Sequence, residues 1–132
     1  MDAPIERFLA GRVFAVAGAS ADRRKYGNKV LRNYQQAGRT VYAINPREKL
    51  IEGAPSFARL CELPEKIDGL SIVTPPVVTE KLVEEAAAAG VKRLWLQPGA
   101  ESAAALARAK ELGLDVIAGG PCLLVALHFQ ER

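Results

Sequence analysis

RVFAVAGASADRRKYGNK, residues 12–29, sets the architecture. Val13 to Ala17 is a run of small and β-branched apolar residues, the pattern of a strand buried on both faces. It stops at Gly18-Ala19-Ser20, and a basic turn, Arg23-Arg24-Lys25, precedes a helix expected from Tyr26. A first strand that breaks into a helix through a glycine receives anions well. Gly18 has no Cβ to resist a sharp turn, Ser20 offers a hydroxyl, and the free N–H groups of the helix's first turn carry the positive end of its dipole. The spacing is not that of the GxGxxG dinucleotide fingerprint, because the next glycine is Gly27. An ordinary strand-to-helix turn is the other reading of the same residues.

Outward from this stretch, strands and helices alternate. Ile5 to Leu9 predicts a short N-terminal helix after Pro4, and Tyr26 to Ala37 a helix closed by Gly38. Thr40 to Ile44, Leu70 to Val73, Leu94 to Leu96 and Asp115 to Ile117 read as further short strands. Helices are expected over Val77 to Ala89, with Thr74 or Thr79 as cap, and over Ser102 to Leu112, with a last short one within Pro121 to Phe129. Ile51 to Pro64 is broken by Gly53 and Pro55, with a short helix or turn over Phe57 to Leu63. Such alternation implies right-handed βαβ units. The expected fold is therefore an α/β, Rossmann-like, doubly wound parallel sheet of five strands in a single domain spanning residues 1–132.

Composition agrees with a globular protein. The 132 residues are 49% hydrophobic and 25% charged, enough for one core that buries about two-thirds of the unfolded surface. No apolar run is long enough to span a membrane, and MDAPIERFLAGR has neither an apolar signal core nor a cleavage site, so a cytoplasmic protein is expected. Cys61 and Cys122 stand far apart with a single histidine in the chain, which argues for reduced thiols and against a metal site. The net charge of +3 is unevenly placed: Arg23 to Lys49 holds eight basic residues and one acid. A basic first third on an acidic remainder suits a local anionic ligand better than a nucleic acid or a membrane surface. Arg32 and Arg39 read as solvated helix-surface charge.

In doubly wound sheets, ligands lie beyond the carboxyl ends of the strands, where the strand order reverses. The segments expected there are Gly18 to Asn28, Asn45 to Lys49, Thr74 to Val77 and Gln97 to Ala100. A NAD-binding domain usually presents an acid after strand two; this chain has Asn45-Pro46-Arg47. Arg47 suits a phosphate on an adenosine ribose, while Arg23, Arg24 and Lys25 lie where a pyrophosphate would be. Coenzyme A and NADP both carry two such phosphate centres. Thr74-Pro75-Pro76 gives an apolar edge with no N–H at the prolines, suited to an adenine or a pantetheine arm, or simply to ending a strand and starting a helix.

The segments GAS…KYGNKVLRN, VYAINPR, IEG, ELPEKIDGLSIVTPP, LWLQPGA and PC, in this order, resemble the small stand-alone CoA-binding domain proteins, themselves similar to the N-terminal domain of the succinyl-CoA synthetase alpha subunit. The resemblance runs from about Ile5 to Cys122. It implies CoA as the cofactor, with phosphates near Gly18, Ala19, Ser20, Arg23, Arg24 and Lys25, and Tyr26 and Asn28 are further expected cofactor-binding residues. The adenine side would fall near Asn45, Pro46 and Arg47, with Thr74, Pro75 and Pro76 beside the ligand and Gln97 at the pantetheine end. The synthetase's phosphohistidine lies in a second domain outside this resemblance, so ligase activity is not carried over.

The catalytic inventory is thin. His128 is the lone histidine, and no acid or nucleophile stands at a spacing that predicts a triad. Cys122 is either a small packed residue or a partner for the CoA thiol in a mixed disulfide. Trp95 reads as core, and Asp68 and Asp115 as turn or surface residues on the edge away from the ligand. The expectation is a non-catalytic CoA- or acyl-CoA-binding module. The alternatives are an NADP-binding oxidoreductase-like domain and a ligand-free regulatory subunit, with a homodimer or a protein partner left open.

Overall fold

Strand β1 (Val13–Ala17) lies in the middle of the sheet because nothing along it tolerates water: Phe14, Ala15, Val16 and Ala17 are all buried. The computed structural model describes residues 2–132. In chain order the helices are α1 (Ala3–Leu9), α2 (Tyr26–Gln36), α3 (Pro76–Ala88), α4 (Ala103–Glu111) and α5 (Leu123–Ala126). The remaining strands are β2 (Thr40–Ile44), β3 (Leu50–Ile51), β4 (Ala54–Phe57), β5 (Gly69–Ile72), β6 (Arg93–Leu96) and β7 (Asp115–Ile117). They form a seven-stranded sheet in the order β3-β4-β2-β1-β5-β6-β7. Every pairing is parallel except that of β3 with β4.

The five expected parallel strands are present, but the count of five is too low. The sheet is extended at the β2 edge by a hairpin whose two-residue loop, Glu52-Gly53, has positive φ at both positions (50° and 79°), the left-handed geometry of tight hairpin turns. Pro55 is tolerated because it sits in a short strand near the sheet edge. The breaks at Gly53 and Pro55 that suggested irregular chain are thus the turn and the edge of a hairpin.

Side chains alternate across the pleat to build a core on each face. Ala15, Ala17, Leu70, Ile72, Leu94 and Leu96 pack under α3 and α4 through Leu82, Val83, Ala86, Ala105 and Ala109. Phe14, Val16 and Trp95 face α1 and α2 through Phe8, Val30, Leu31 and Tyr34. Phe14 stacks on Tyr34 at 4.8 Å, and Phe8 meets Trp95 edge-on at 5.4 Å. Full burial of Phe8 and Phe14 stabilises by about 1.5–3 kcal/mol each. Trp95 is core as expected, its indole N–H donating to the Pro121 carbonyl at 3.0 Å.

Two basic residues expected as solvated surface charge are instead tied into the fold, Arg32 buried and Arg39 partly so. The Arg32 guanidinium donates to Asn28 Oδ1 (2.6 Å), the Arg23 carbonyl (3.1 Å) and Glu131 (3.0 Å). Arg39 donates to the carbonyls of Leu9 and Gly11 and lies over the Phe14 ring. Both arginines satisfy groups remote in sequence, which local patterning does not display.

Candidate ligand-binding site

The strand order reverses at β1, which is flanked by β2 on one side and β5 on the other. At the carboxyl ends of β1 and β5 lies a cavity of about 490 Å³. Its walls are Gly18, Ala19, Ser20, Lys25, Tyr26 and Gly27 from the β1–α2 connection, Asn45 after β2, and Val73, Thr74 and Pro75 after β5. Three of the four expected segments therefore meet in one place.

Two glycines make this approach possible. Gly18 has φ +90°, and a Cβ there would stand 2.1 Å from the Val73 carbonyl oxygen. A Cβ on Gly27 would stand 2.0 Å from the Gly18 carbonyl oxygen, so the first turn of α2 packs directly on the phosphate-type turn. That close packing is what the last glycine of the dinucleotide fingerprint provides. Here a longer loop intervenes, and the spacing rule therefore missed Gly27. Lys25 at the helix N-cap contributes no side-chain hydrogen bond, so the N–H groups of the first turn of α2 have no side-chain cap.

The intervening loop holds its own shape. Ser20 Oγ accepts from the Asp22 N–H (3.1 Å), and Asp22 in turn accepts from the backbone and side chain of Arg24. Those bonds from Arg24 draw the Asp22 carboxyl down to a pKa of about 2. Arg24 is thereby folded back along the loop, with its side chain 90% exposed. Arg23 also turns away, onto Glu52 (2.5 Å) and the Arg132 carbonyl. Of the three basic loop residues only Lys25 lines the cavity. Arg47 stands exposed on the loop after β2, and among the described residues neither Lys25 nor Arg47 has an ion-pair partner.

Asn45 and Asn28 are joints in this arrangement. Asn45 Nδ2 donates to the Ala19 carbonyl (2.9 Å), and its Oδ1 accepts from the N–H groups of Arg47 (2.8 Å) and Glu48 (3.1 Å). The phosphate-type turn is thus tied to the loop after β2. Asn28 is fully buried and donates to the Ser20 carbonyl (2.8 Å) and to Glu52 (3.1 Å). Glu52, which sequence reasoning missed, clamps Arg23 and Asn28 from the hairpin turn, and Gln35 Nε2 holds its carbonyl (2.9 Å). The signal was an acid beside a glycine at a two-residue turn. Pro46 and Pro76 are exposed outside the cavity walls. Neither threonine caps α3, which starts at Pro76; instead the Thr74 and Thr79 hydroxyls bond each other at 2.8 Å.

Gln97, from the fourth expected segment, is not among the cavity walls and is linked to them through Tyr26. It is fully buried, and its Oε1 accepts from the Tyr26 hydroxyl (3.1 Å) and the Leu123 N–H (3.0 Å). The Tyr26 hydroxyl also lies 2.5 Å from Cys122 Sγ. Burial first, and then the bond with Cys122, raise the Tyr26 pKa above the usual phenol range. His128 is exposed, with a left-handed φ of 53°.

A family model described as "CoA binding domain" matches residues 12–128. The chain belongs to the CoA-binding domain family. The CoA-binding family match takes in the whole cavity, from Gly18 to Pro75, together with Gln97 and Cys122. Among curated proteins, acetate–CoA ligase [ADP-forming] I of Archaeoglobus fulgidus is 38% identical over 81 residues, covering 61% of this chain and 12% of the ligase. The alpha subunit of acetate–CoA ligase [ADP-forming] II of Pyrococcus furiosus is 33% identical over 89 residues, covering 67% of this chain and 20% of the subunit. The chain thus spans a fifth or less of these relatives. A conserved hypothetical protein of Pyrococcus furiosus matches on its own scale: TM-score 0.83, 36% identity, 87% of this chain and 98% of that one. An acetyl-coenzyme A synthetase of Candidatus Korarchaeum cryptofilum, in complex with phosphate and ADP, matches with TM-score 0.72 and 28% identity over 80% of this chain and 25% of that one.

A second cavity, of about 600 Å³, is larger but opens at the opposite end of the sheet. It lies between the 3₁₀ turn at Leu60–Glu62 and the last turn of α3 at Ala88 and Ala89, beside Ile67 and Val91, which precede β5 and β6. Helix α3 presents carbonyl oxygens there, the wrong polarity for a phosphate. No helix of the described residues is long and apolar enough to cross a membrane.

Proposed function

We infer that this domain binds coenzyme A or an acyl-CoA at the carboxyl edge of the sheet, through the phosphates and the adenosine, and carries out no turnover of its own. The observation that carries the reading is the site's unmatched positive character. The uncapped start of α2 and Lys25 lie at the cavity, and Arg47 lies on the loop after β2 that Asn45 ties to it. One cation group suits the pyrophosphate, the other a phosphate on the ribose. Tyr26, Thr74 and Pro75 offer the less polar wall along which a pantetheine arm would run. The reading without turnover rests on the site's polar groups: Ser20, Asn28 and Asn45 are occupied in holding loops, and His128 lies outside the cavity walls.

Isothermal calorimetry against CoA, 3′-dephospho-CoA and NADP at two salt concentrations tests this. The expected result is salt-sensitive CoA binding that weakens without the 3′-phosphate, with no hydrolysis of an acyl-CoA incubated with the protein. Tighter binding of NADP, or no heat from any of the three with a folded sample, overturns it.

A further inference from the structure

Gln97 is a buried amide with half of its hydrogen bonds missing. Its Oε1 is fixed by the Leu123 N–H and the Tyr26 hydroxyl, both donors, so the amide cannot be turned over, and Nε2 has no partner among the described residues. A buried donor without an acceptor is costly. An acceptor brought by a ligand relieves that cost, and the two amide carbonyls of a pantetheine arm are acceptors of the right kind. Cys122 Sγ belongs to the same cluster, 2.5 Å from the Tyr26 hydroxyl, and Tyr26 itself lines the cavity beside Gly18 and Thr74. The Tyr26 hydroxyl donates to Gln97 Oε1, and between Tyr26 and Cys122 either the hydroxyl or the sulfur can be the donor. Cys122 is partly exposed, whereas Cys61 lies by the other cavity.

We propose that Cys122 is a thiol–disulfide exchange site for the disulfide form of coenzyme A, with Gln97 Nε2 as the donor that holds the pantetheine arm against it. This rests on the CoA-binding reading above. In the exchange, the Cys122 thiolate attacks one sulfur of CoA disulfide. The bond between the two CoA sulfurs breaks as the bond from Cys122 to CoA forms, and the departing CoA thiolate takes up the proton that Cys122 lost. One disulfide enters and one thiol leaves, with CoA disulfide as the oxidant. The protein is modified once and does not turn over.

The test uses the reduced protein, incubated separately with CoA disulfide and with pantethine, the disulfide of the same arm without the nucleotide. Peptide mass spectrometry follows the adducts, and calorimetry with CoA under reducing conditions is run on the same preparation. The expected result is one CoA moiety on the Cys122 peptide, removed by reductant, formed roughly tenfold faster than the pantetheine adduct because the nucleotide positions the disulfide. Acetyl-CoA, which has no disulfide to exchange, should slow it by competition. Cys61→Ser should leave the adduct in place, and Gln97→Met should slow the reaction of CoA disulfide more than that of pantethine. CoA binding without an adduct on Cys122, equal rates for the two disulfides, or an adduct mainly on Cys61 overturns the exchange site alone. Absence of CoA binding overturns the reading on which it stands.

Discussion

The two ends of the sheet treat charge and polarity in opposite ways. At the amino end, Asp68 accepts from the backbone N–H groups of Arg12 (2.8 Å) and Val13 (3.0 Å), Arg39 donates to the carbonyls of Leu9 and Gly11, and Asp115 pairs with Arg7 at 3.0 Å. At the carboxyl end, α2 starts without a side-chain cap, and among the described residues Lys25 and Arg47 have no ion-pair partner and Gln97 Nε2 is unpartnered. One end fastens strands, and the other leaves polar groups unmatched, which the proposed CoA binding would use. Substitutions at the amino end should therefore move stability alone, and those at the carboxyl end should move affinity.

The largest expected effect is at the one position where the two roles cannot be separated. Gly18→Ala puts a Cβ 2.1 Å from the Val73 carbonyl oxygen on a backbone with φ +90°. It should cost about 3 kcal/mol or more in stability and abolish CoA binding, as read by chemical unfolding and calorimetry. Unchanged stability would mean that the turn is not wedged against β5 as described.

Asp68→Ala is next, and it sharpens the comparison from the amino end. Two backbone donors at the start of β1 lose their acceptor, for a loss of about 1–3 kcal/mol in unfolding free energy, with the affinity for CoA unchanged. The same bonds hold the Asp68 pKa below its ordinary 3.8. A depressed folded-state pKa means that this stabilisation is complete above the unfolded value and is lost as pH falls through the folded one. Melting temperature measured from neutral to strongly acid pH should consequently fall less in Asp68→Asn than in the parent.

Lys25→Ala and Arg47→Ala do the reverse. Each should weaken CoA by roughly 1–3 kcal/mol, with stability changed by no more than about 0.5 kcal/mol and a shallower salt dependence of binding. If either lowers the melting temperature as much as Asp68→Ala does, the carboxyl end is not held in reserve, and the contrast fails.

How much of this was legible beforehand follows the range of the interactions. The five parallel strands were, because buried strands announce themselves as short apolar runs such as Val13 to Ala17 and Leu94 to Leu96. The hairpin was not, since Ile51 and Ala54 give too short a pattern and Glu52 stands where a turn of this kind usually shows Asn or Asp. The location of the site was legible from topology, through Gly18, Asn45 and Thr74. The division of labour within it was not: whether a basic side chain faces a ligand or an internal acid depends on partners such as Glu52, 29 residues from Arg23, and Glu131, 99 residues from Arg32.

Arg24 brings that lesson to its smallest and sharpest case. Sequence position groups it with Arg23 and Lys25 as a phosphate ligand, yet its guanidinium lies along Asp22, 90% exposed, and adds nothing to the cavity wall. An exposed pair between residues two apart contributes little, so Arg24→Ala should leave the melting temperature unchanged and shift the CoA dissociation constant by less than about threefold. Arg23→Ala should exceed it, because it also frees Glu52, the residue that clamps the hairpin turn to Asn28. A tenfold or greater loss with Arg24→Ala would show that the loop from Ser20 to Lys25 opens on binding and trades the Asp22 carboxylate for a phosphate. The carboxyl end would then keep its positive charge in reserve by internal pairing, as the amino end does, and differ from it only in how readily the pairs exchange.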